Sequence, residues 1–336
     1  MTGGTGFVGS HTVAALLRAG LRVRLLVRDK AAVAPALAPH GYGPDAVEIA
    51  TGDVRDRAAV DAAVGGADAV LHSASVYSFD VRRAAEMREV NRLGTEVVLD
   101  AARAAGAGRI VYVSSIVSMY PPSDGLLTVN TPVGRPKDVY MATKAEAEEV
   151  ARRHQAEGAP LTIVYPPALF GPHDPHVGDQ VARVRDVLRG LMPIWPLGGY
   201  PVGDVRDTAA LHTALITGPA GESGRVFGPY HNLSTRQYMA TLREVTGRRL
   251  PTVFLPGAAM VPVARLADLA QRVWPWHIPA EFGAVYTCAV DARIANDEPT
   301  YGVLPRPVAE TMADTVEWMR TNGLLTARQA GRPRRE

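Results

Sequence analysis

The chain has 336 residues, a formal net charge of +2 at pH 7, 47% hydrophobic residues and 21% charged residues. This length allows one large α/β domain with a smaller lobe, and the composition is ordinary for a globular protein. A net charge so close to zero does not favour a nucleic acid or an anionic membrane as a partner. Cys288 is the only cysteine, which excludes a disulfide framework within the chain, so a reducing cytoplasm is expected.

Short apolar runs alternate with helical stretches from the N-terminus to Pro166. A helix is predicted over 7–19, directly after a glycine-rich segment, and no secretory leader is expected before it. Strands are predicted at 21–27, 46–50, 68–74, 109–115 and 161–166, with the clearest helices at 82–105 and 138–157. Strands that alternate with helices form parallel sheets with right-handed crossovers. The predicted fold class is therefore α/β, with a doubly wound parallel sheet.

The pattern changes after Pro166, where prolines and glycines become frequent and helices dominate. These helices are predicted at 178–190, 207–217, 234–246, 256–273 and 308–322. The last is well supported, because apolar positions from Val308 to Met319 share one face and Gly323 ends it. We therefore expect a nucleotide-binding domain, a smaller and mainly helical lobe with some segments that return to the sheet, and a disordered tail, over 1–166, 167–326 and 327–336.

The sequence opens with MTGGTGFVGS, which places glycines at positions 3, 6 and 9. A turn of small residues between a strand and a helix lets backbone N–H groups and the helix N-terminus approach a pyrophosphate. A purely structural turn is the alternative, but the helix and strands that follow favour a dinucleotide site. The predicted contacts to this cofactor are Gly3, Thr5, Gly6, Phe7, Val8 and Gly9.

Tyr140 and Lys144 occur in YMATK, four residues apart on the predicted helix 138–157, so that both point from one face. A tyrosine hydroxyl, with a reference pKa of about 10, is a poor base at neutral pH, and a nearby ammonium lowers that pKa. The pair therefore predicts proton transfer to or from a substrate oxygen, with Lys144 also holding the nicotinamide ribose. The alternative is an ordinary pair on a surface helix.

TGGTGFVG and YMATK together resemble the signature of the extended short-chain dehydrogenases/reductases. The resemblance covers nearly the whole chain, strongly through the first 175 residues and loosely in the lobe, apart from 302–318, which looks like the family's C-terminal helix. It is closest to the dihydroflavonol reductase-like and 3β-hydroxysteroid dehydrogenase-like branch of the NAD-dependent epimerase/dehydratase superfamily. The resemblance implies a Rossmann-type sheet and an NAD(P)-dependent oxidoreductase that acts on a secondary alcohol/ketone pair.

In that family a central strand precedes the glycine loop, and valine often stands directly before TGG. Met1 occupies this position, and the valine codon GTG can serve as a start codon that is read as methionine. We therefore expect that the first strand is truncated by about five or six residues, the length of a common strand. Loss of a central strand of a buried parallel sheet is expected to destabilise the fold by several kcal/mol.

The resemblance also implies roles for residues near Tyr140 and Lys144. Ser115 would hydrogen-bond the substrate oxygen, with Ser114 as the competitor for that role. Asn91 matches the family's active-site asparagine and is predicted to be catalytic, although a helix residue that faces solvent is an equal alternative. The remaining predicted cofactor contacts lie at strand ends and after the last strand: Asp53 and Val54 at the adenine, Ser73, Ala74 and Ser75 near the pyrophosphate and ribose, and Pro166 and Leu169 against the nicotinamide.

The residue that ends the second strand of such a sheet selects the cofactor. Relatives that prefer NAD carry an acid at the position of Val27, and Arg28 follows it here. VRD at this point is similar to the NADP-using dihydroflavonol reductases, so Arg28 is predicted to bind the 2′-phosphate of NADP, with NAD as the alternative. In that alternative Arg28 is a solvated turn residue and Asp29 holds the ribose.

The chain departs from two branches of the family. Its dehydratases carry an Asp-Glu pair directly after the position of Ser115, where this chain has Ile116 and Val117, so dehydration is not expected. Many sugar-nucleotide epimerases carry a G-x-G-x-Q-x-R-D-F-like stretch, and the comparable segment 198–210 lacks the Gln and the Phe. An epimerase that retains NAD stays an alternative, and a non-catalytic dinucleotide sensor is a further one, against which the tyrosine–lysine pair argues.

The expected partner is a small-molecule substrate, and the family suggests a homodimer. Aromatic residues of the lobe, at Trp195, Trp274 and Trp276, indicate an apolar substrate, although such tryptophans are more often simply core. His173 and His176 raise the question of a metal site, but the flanking prolines break helical ligand spacing and no metal is predicted.

The most apolar stretch, 253–273, is interrupted by Arg265, Asp268 and Arg272. A lobe helix is preferred there over a helix on a membrane surface, and no membrane span is expected.

Overall fold

The computed structural model describes residues 1–77, 81–218, 223–271, 282–295 and 301–331. The α-helices of these residues are α1 (Phe7–Arg18), α2 (Val33–Leu37), α3 (Arg57–Val64), α4 (Ala84–Arg88), α5 (Gly94–Ala104), α6 (Val139–Ala156), α7 (Asp179–Leu188), α8 (Val205–Thr217), α9 (Thr235–Thr246), α10 (Gly257–Gln271), α11 (Phe282–Val290), α12 (Val308–Thr321) and α13 (Ala327–Ala330). The strands are β1 (Arg24–Val27), β2 (Glu48–Thr51), β3 (Ala69–His72), β4 (Arg109–Val113), β5 (Leu126–Leu127), β6 (Leu161–Tyr165), β7 (Ala168–Phe170), β8 (Ile194–Pro196), β9 (Gly199–Asp204), β10 (Gly224–Phe227), β11 (His231–Ser234), β12 (Val253–Leu255) and β13 (Arg293–Ile294).

A parallel sheet forms the centre of the molecule. Its strands pair in the order β10–β6–β4–β3, and β1 pairs with β2. Thr2 forms parallel bridges to Leu26 of β1 and to His72 of β3, so the first residues of the chain join both groups into one sheet. The predicted α/β fold with a parallel sheet is confirmed.

Alternation along the strands explains why helices cover both faces of the sheet. Val70, Ile110 and Ile163 pack into one core cluster with α3, α5 and α6. Their neighbours Leu71 and Val111 belong to a second cluster, which includes residues of α8. Because these strands are buried on both faces, they are nearly continuous apolar runs in the sequence.

Strand β10 comes from the second half of the chain and pairs with β6 at the edge of the sheet. The lobe itself holds short strands that the sequence analysis did not predict. Strand β9 pairs parallel with β7 and antiparallel with β11, and β8 pairs parallel with β12. These strands are only three to six residues long, and runs so short show too little alternation to be recognised, so the mainly helical description of the lobe was incomplete.

The predicted helices form in the described residues, with the end of the one expected over 256–273 lying outside them, and two predictions differ from the structure. The helix expected over 82–105 is interrupted by a π-helical turn at Glu89–Leu93. The tail expected to be disordered over 327–336 begins with α13. Thr326 and Gln329 form a capping box at the N-terminus of this helix. Arg248 also donates to the Gln329 carbonyl, so this part of the prediction was wrong, while 332–336 lie outside the described residues. In the described part of the chain, no helix has the length and apolarity to cross a membrane.

Candidate active site

The predicted site residues gather at one edge of the parallel sheet. Strands β1, β3, β4 and β6 end at Val27, His72, Val113 and Tyr165. The residues singled out in the sequence follow these ends directly or within a few positions: Arg28, Ser73, Ala74, Ser75, Ser115, Pro166 and Leu169. Ligands of open α/β sheets bind outside the carboxyl ends of the strands, so these residues border one cleft.

The glycine loop is built for close backbone approach. Gly3 has a φ of +72°, and a Cβ there would lie 2.6 Å from the backbone N of Ala74. A Cβ on Gly9 would lie 1.9 Å from the carbonyl oxygen of Gly3. At Gly6, by contrast, a Cβ would meet only that carbonyl, at 3.5 Å, which leaves this side of the loop open.

Helix α1 begins at Phe7, and its N-cap, Gly6, supplies no side-chain hydrogen bond. The first N–H groups of a helix need acceptors from elsewhere, and the helix dipole favours a negative charge there. The open side of Gly6 and this helix N-terminus together fit a pyrophosphate, as the dinucleotide prediction requires.

Arg28 lies at the far end of the cleft, between β1 and the acids Asp29 and Asp53. Arg28 is exposed directly after β1. Asp29, the alternative ribose acid, accepts from the Ala31 N–H at 2.8 Å and caps a short 3₁₀ turn. The Asp53 carboxylate is held by the Arg55 side chain, with Nε at 2.9 Å and Nη2 at 3.0 Å. The hydrogen bond from Arg55 lowers the pKa of Asp53, and the charge of Arg28 adds to that effect.

The middle of the cleft is tied to the first residues of the chain. Ser73 Oγ donates to the Thr2 carbonyl at 2.9 Å, and the Ala74 N–H donates to Thr2 Oγ1 at 3.2 Å. On the opposite side, the Ile116 N–H donates to the Pro166 carbonyl at 3.3 Å. These bonds fix the backbone on both sides of the space that a nicotinamide ribose would occupy.

Tyr140 and Ser115 come together at the end of β4. The Asp138 carboxylate caps α6 by accepting from the Met141 N–H at 3.0 Å, which places Tyr140 in the first turn. Burial raises the Tyr140 pKa, and a weaker effect of Ser115 on the Tyr140 hydroxyl opposes it. Ser114 points elsewhere, since it is buried and its hydroxyl donates to Ser118. The structure thus places Ser115, and not Ser114, beside the tyrosine.

Burial is the largest effect on the Tyr140 hydroxyl, and it raises the Tyr140 pKa above its usual value. The charges of Asp138 and Asp179 act in the same direction. The Lys144 ammonium is buried too, which lowers its pKa to about 8, and it donates to the Val113 carbonyl at 3.2 Å. The net lowering of the Tyr140 pKa that the sequence predicted is therefore not found, because burial outweighs any lowering by Lys144, and the tyrosine stays protonated at neutral pH.

Asn91 is buried, so the alternative in which it faces solvent is wrong. It lies in the π-helical turn, and π-turns are frequent at functional sites. Its Oδ1 accepts from Ser75 Oγ and from the Val76 N–H, at 2.9 and 2.7 Å. Its Nδ2 donates to the Val76 carbonyl and to Thr143 Oγ1, at 3.0 and 2.9 Å. With both polar atoms occupied in this way, Asn91 positions the segment after β3 against α6.

The sequence analysis missed two groups of residues at the site. The ring of Tyr77 stands edge-on to Tyr140, with the ring centroids 4.8 Å apart. Glu148, one turn beyond Lys144, is completely buried and forms an ion pair with Arg152, with Nε and Oε1 at 2.8 Å. Glu148 and Arg152 continue on α6 the spacing of four residues that singled out Tyr140 and Lys144. This spacing could have indicated them as members of the same helix face.

His173 contacts two histidines of the nucleotide-binding domain. Its ring centroid lies 6.2 Å from that of His11 and 5.5 Å from that of His40. His11 Nε2 is also 2.9 Å from the Pro172 carbonyl oxygen. Within the residues that the structure describes, no group of three side chains could hold a metal ion.

Trp195 is buried in the lobe and stacks on Tyr238 at 5.0 Å. Trp274 and Trp276 lie outside the described residues. Trp195 is therefore part of the lobe core, as the simpler interpretation of the sequence held.

With this geometry in place, comparison with known proteins identifies the family. Residues 1–228 match the NAD dependent epimerase/dehydratase family. The chain belongs to this family. The resemblance drawn from TGGTGFVG and YMATK is confirmed, and this epimerase/dehydratase-family protein is an NAD(P)-dependent oxidoreductase.

Relatives and solved structures agree with the family along almost the full chain. The chain is 30% identical over 332 residues to sterol demethylase protein B of Methylococcus capsulatus, covering 97% of this chain and 99% of the relative. It is 30% identical over 340 residues to a putative dihydroflavonol 4-reductase of Synechocystis, covering 97% and 95%. The crystal structure of gox2253 superimposes with a TM-score of 0.77 at 26% identity, covering 97% of this chain and 98% of that chain.

Proposed function

We propose that this protein is an NADP(H)-dependent oxidoreductase of a secondary alcohol/ketone pair on a small, apolar substrate. The observation that carries the proposal is the burial of Tyr140 and Lys144 on α6 at the carboxyl edge of the sheet, where the Lys144 ammonium donates to the Val113 carbonyl at 3.2 Å, two residues before Ser115. Lys144 lies buried one helical turn further along α6. A proton donor, a second hydroxyl and a cation next to a dinucleotide loop are the groups that carbonyl reduction needs.

The roles of the side chains follow from their protonation. NADPH supplies the hydride when it is bound. Tyr140, kept protonated by burial, donates its proton to the carbonyl oxygen, and Ser115 donates a hydrogen bond to the same atom. The Lys144 ammonium, with a pKa of about 8, is mostly charged at neutral pH and stabilises the phenolate that remains. Solvent returns a proton to Tyr140 after the alcohol leaves.

Two features support reduction over other chemistry of the family. Ile116 is buried and Val117 follows it, so no carboxylate stands where an elimination would need an acid and a base. The names of two relatives, sterol demethylase protein B and a putative dihydroflavonol 4-reductase, refer to a sterol and a flavonoid and not to a sugar nucleotide, which supports the proposal. Arg28, exposed beyond β1, supports NADP over NAD, because a guanidinium binds a phosphate well.

The test is turnover with both dinucleotides. Loss of NADPH absorbance is followed with a panel of steroid and flavonoid ketones, and NADH is used in parallel. Ketone-dependent oxidation of NADPH supports the proposal. Interconversion of a sugar nucleotide with retained NAD would instead establish an epimerase, and tight NADPH binding without turnover of any ketone or sugar would establish a sensor.

A further inference from the structure

His72 is the last residue of β3, and its imidazole is completely buried. Its Nδ1 lies 2.7 Å from Thr2 Oγ1, and its Nε2 lies 3.1 Å from Thr95 Oγ1. Thr2 directly precedes the glycines of the loop, whereas Thr95 lies on α5, four residues after Asn91. The ring therefore connects the dinucleotide loop to the helix that follows the π-helical turn.

The direction of these hydrogen bonds follows from the protons available. Thr95 Oγ1 donates its single proton to the Asn91 carbonyl at 2.6 Å, so it accepts from His72 Nε2–H. A neutral imidazole carries one N–H, which leaves Nδ1 to accept from the Thr2 hydroxyl. Thr2 Oγ1 in turn accepts from the Ala74 N–H at 3.2 Å. The bonds that run in this one direction through Ala74, Thr2, His72, Thr95 and Asn91 are called the His72 relay below.

The imidazole stays neutral, as the relay requires. Burial lowers the pKa of His72 to about 3, and the Lys144 charge acts in the same direction. The Tyr112 ring stacks on the imidazole with the centroids 5.7 Å apart, and Lys144 Nζ lies 5.4 Å from the centroid of the same tyrosine. A second proton, on Nδ1, would leave the buried Thr2 hydroxyl without its acceptor.

The first end of the relay holds the glycine loop. The Thr2 side chain accepts from the Ala74 N–H, and the Thr2 carbonyl accepts from Ser73 Oγ at 2.9 Å. Gly3 packs so closely on this segment that a Cβ there would lie 2.6 Å from the Ala74 N. A rotated Thr2 side chain would release Ala74 and with it the position of the loop that faces the pyrophosphate.

The second end of the relay reaches the helix of the proton donor. Asn91, whose carbonyl accepts from Thr95, also donates from Nδ2 to Thr143 Oγ1 at 2.9 Å. Thr143 lies on α6, between Tyr140 and Lys144. The π-helical turn is thus held from one side by His72, through Thr95, and itself holds α6 on the other.

We propose that His72 is a positioning residue that couples the dinucleotide loop to the proton donor Tyr140. The inference rests on the proposed function, which assigns the proton transfer to Tyr140. The two ring nitrogens have separate effects. Acceptance at Nδ1 keeps the loop in the geometry that binds the dinucleotide, and donation from Nε2 keeps the π-helical turn and α6 aligned for catalysis.

Two substitutions at His72 divide the relay, because an amide replaces one ring nitrogen at a time. His72→Asn keeps an acceptor for Thr2 near the position of Nδ1 and loses the donor to Thr95. His72→Gln brings an amide donor to Thr95 and leaves Thr2 without its acceptor. Thr95→Val and Thr2→Val remove the two hydroxyl partners. The matched control is His212→Asn, since His212 is also completely buried and lies 2.9 Å from a threonine hydroxyl outside the relay.

Three properties are measured for each protein. Calorimetric titration gives the Kd of NADPH and of NADH, and kcat is determined at saturating dinucleotide with a ketone that the native protein reduces. Melting temperatures report stability. In addition, ¹⁵N NMR of the labelled native protein identifies which nitrogen of His72 carries the proton, a readout that needs neither a variant nor turnover.

His72→Asn and Thr95→Val are expected to lower kcat about 5–10-fold, the effect of one lost hydrogen bond, with the Kd of the dinucleotide changed less than about 2-fold. His72→Gln and Thr2→Val are expected to raise that Kd about 5–10-fold and to leave kcat within about 2-fold. His212→Asn lowers the melting temperature without changing either. The NMR spectrum is expected to show the proton on Nε2.

A proton on Nδ1 would overturn the relay even if neither His72 variant folds. Losses of kcat and of dinucleotide affinity that rise together with the loss of melting temperature in all variants would also overturn it, as would native values of both. If the native protein reduces no ketone, the proposed function fails. The relay is then supported by a proton on Nε2 with weaker dinucleotide binding in His72→Gln but not in His72→Asn, and overturned by any other combination.

Discussion

The Nδ2 of Asn91 donates to Thr143 Oγ1 at 2.9 Å, and Thr143 Oγ1 in turn donates to the Tyr140 carbonyl at 2.7 Å. Two hydrogen bonds thus connect the π-helical turn to the helix that carries the proton donor. Asn91 also holds the backbone of Val76 with both of its polar atoms. The position of Tyr140 relative to the segment after β3 depends on this one amide.

Asn91→Ala is expected to lower the free energy of unfolding by about 2–3 kcal/mol, because it leaves buried backbone and hydroxyl groups of its partners unsatisfied. Denaturation in urea, followed by circular dichroism, measures the change. kcat is expected to fall as well, since Tyr140 loses its alignment. An unchanged denaturation midpoint would show that water replaces the amide and that the positioning role is wrong.

Tyr140→Phe is expected to reduce kcat by about 10²–10⁴-fold without changing NADPH affinity. The raised pKa adds a second expectation. Alcohol oxidation needs the phenolate and therefore speeds up as pH rises towards about 10 and beyond, whereas reduction needs the phenol and is flat near neutrality. Rates in both directions across pH, with the melting temperature as the control for folding, check both points. A variant with native turnover would remove Tyr140 from the mechanism.

Arg28→Gln is expected to weaken NADPH binding by about 10–100-fold, the loss of one charge-assisted contact to the 2′-phosphate, and to leave NADH binding unchanged. Calorimetric titration of both dinucleotides measures this. Arg22→Gln is the matched control, because Arg22 is also exposed but precedes β1 instead of following it. Equal effects on NADPH and NADH, or equal effects of the two substitutions, would contradict a phosphate clamp at Arg28.

Glu148→Ala is expected to destabilise the fold by about 3–5 kcal/mol, because it leaves the buried part of Arg152 without its counter-charge. Glu148 also raises the Lys144 pKa against the larger effect of burial, so its removal lowers that pKa below about 8. Urea denaturation and the alkaline limb of the kcat profile measure the two effects. Glu149→Ala, at an exposed neighbouring position, is the control and should change stability by about 0.5 kcal/mol at most.

Acid is expected to destabilise the protein through His72 and His212. Both are completely buried, and burial lowers each pKa to about 3, against about 6.5 when unfolded. Between these values the unfolded chain binds more protons than the native one, so stability is complete above about pH 6.5 and falls as the pH is lowered.

At pH 5.5 this linkage amounts to about 1.4 kcal/mol for each histidine. Urea denaturation between pH 7.5 and 5.5 measures the loss. Burial also lowers the pKa of His11 and His40, so these two histidines add to the loss. His212→Asn, whose amide retains a partner for Thr12 Oγ1, should remove the share of His212, about 1.4 kcal/mol. A native protein whose stability does not change between pH 7.5 and 5.5 would contradict the lowered pKa values of the buried histidines.

The parallel sheet was predictable because its signals are local and redundant. Each strand is an apolar run buried on two faces, and helices of sufficient length separate the runs. The glycine loop and the Tyr140–Lys144 spacing are similarly local. What the sequence could not show was which groups surround each side chain after folding: the burial that reverses the expected Tyr140 pKa shift, or the full set of partners around Asn91.

The lobe was less predictable for the same physical reason. Its strands are short, and their partners are distant in the chain, as where β11 meets β9 or β12 meets β8. No spacing along the sequence connects these strands.

The placement of β10 has a consequence for engineering by recombination. The strand follows β9 and α8 in the chain but completes the edge of the nucleotide-binding sheet, where Val226 lies opposite Val164. A chimaera that exchanged everything after Pro166 for the lobe of a relative would replace this strand and α8 as well, and so alter the packing beneath the cofactor cleft. A substrate specificity transplanted into this scaffold should therefore be exchanged in two separate pieces, before α8 and after β10, with the native 205–227 retained between them.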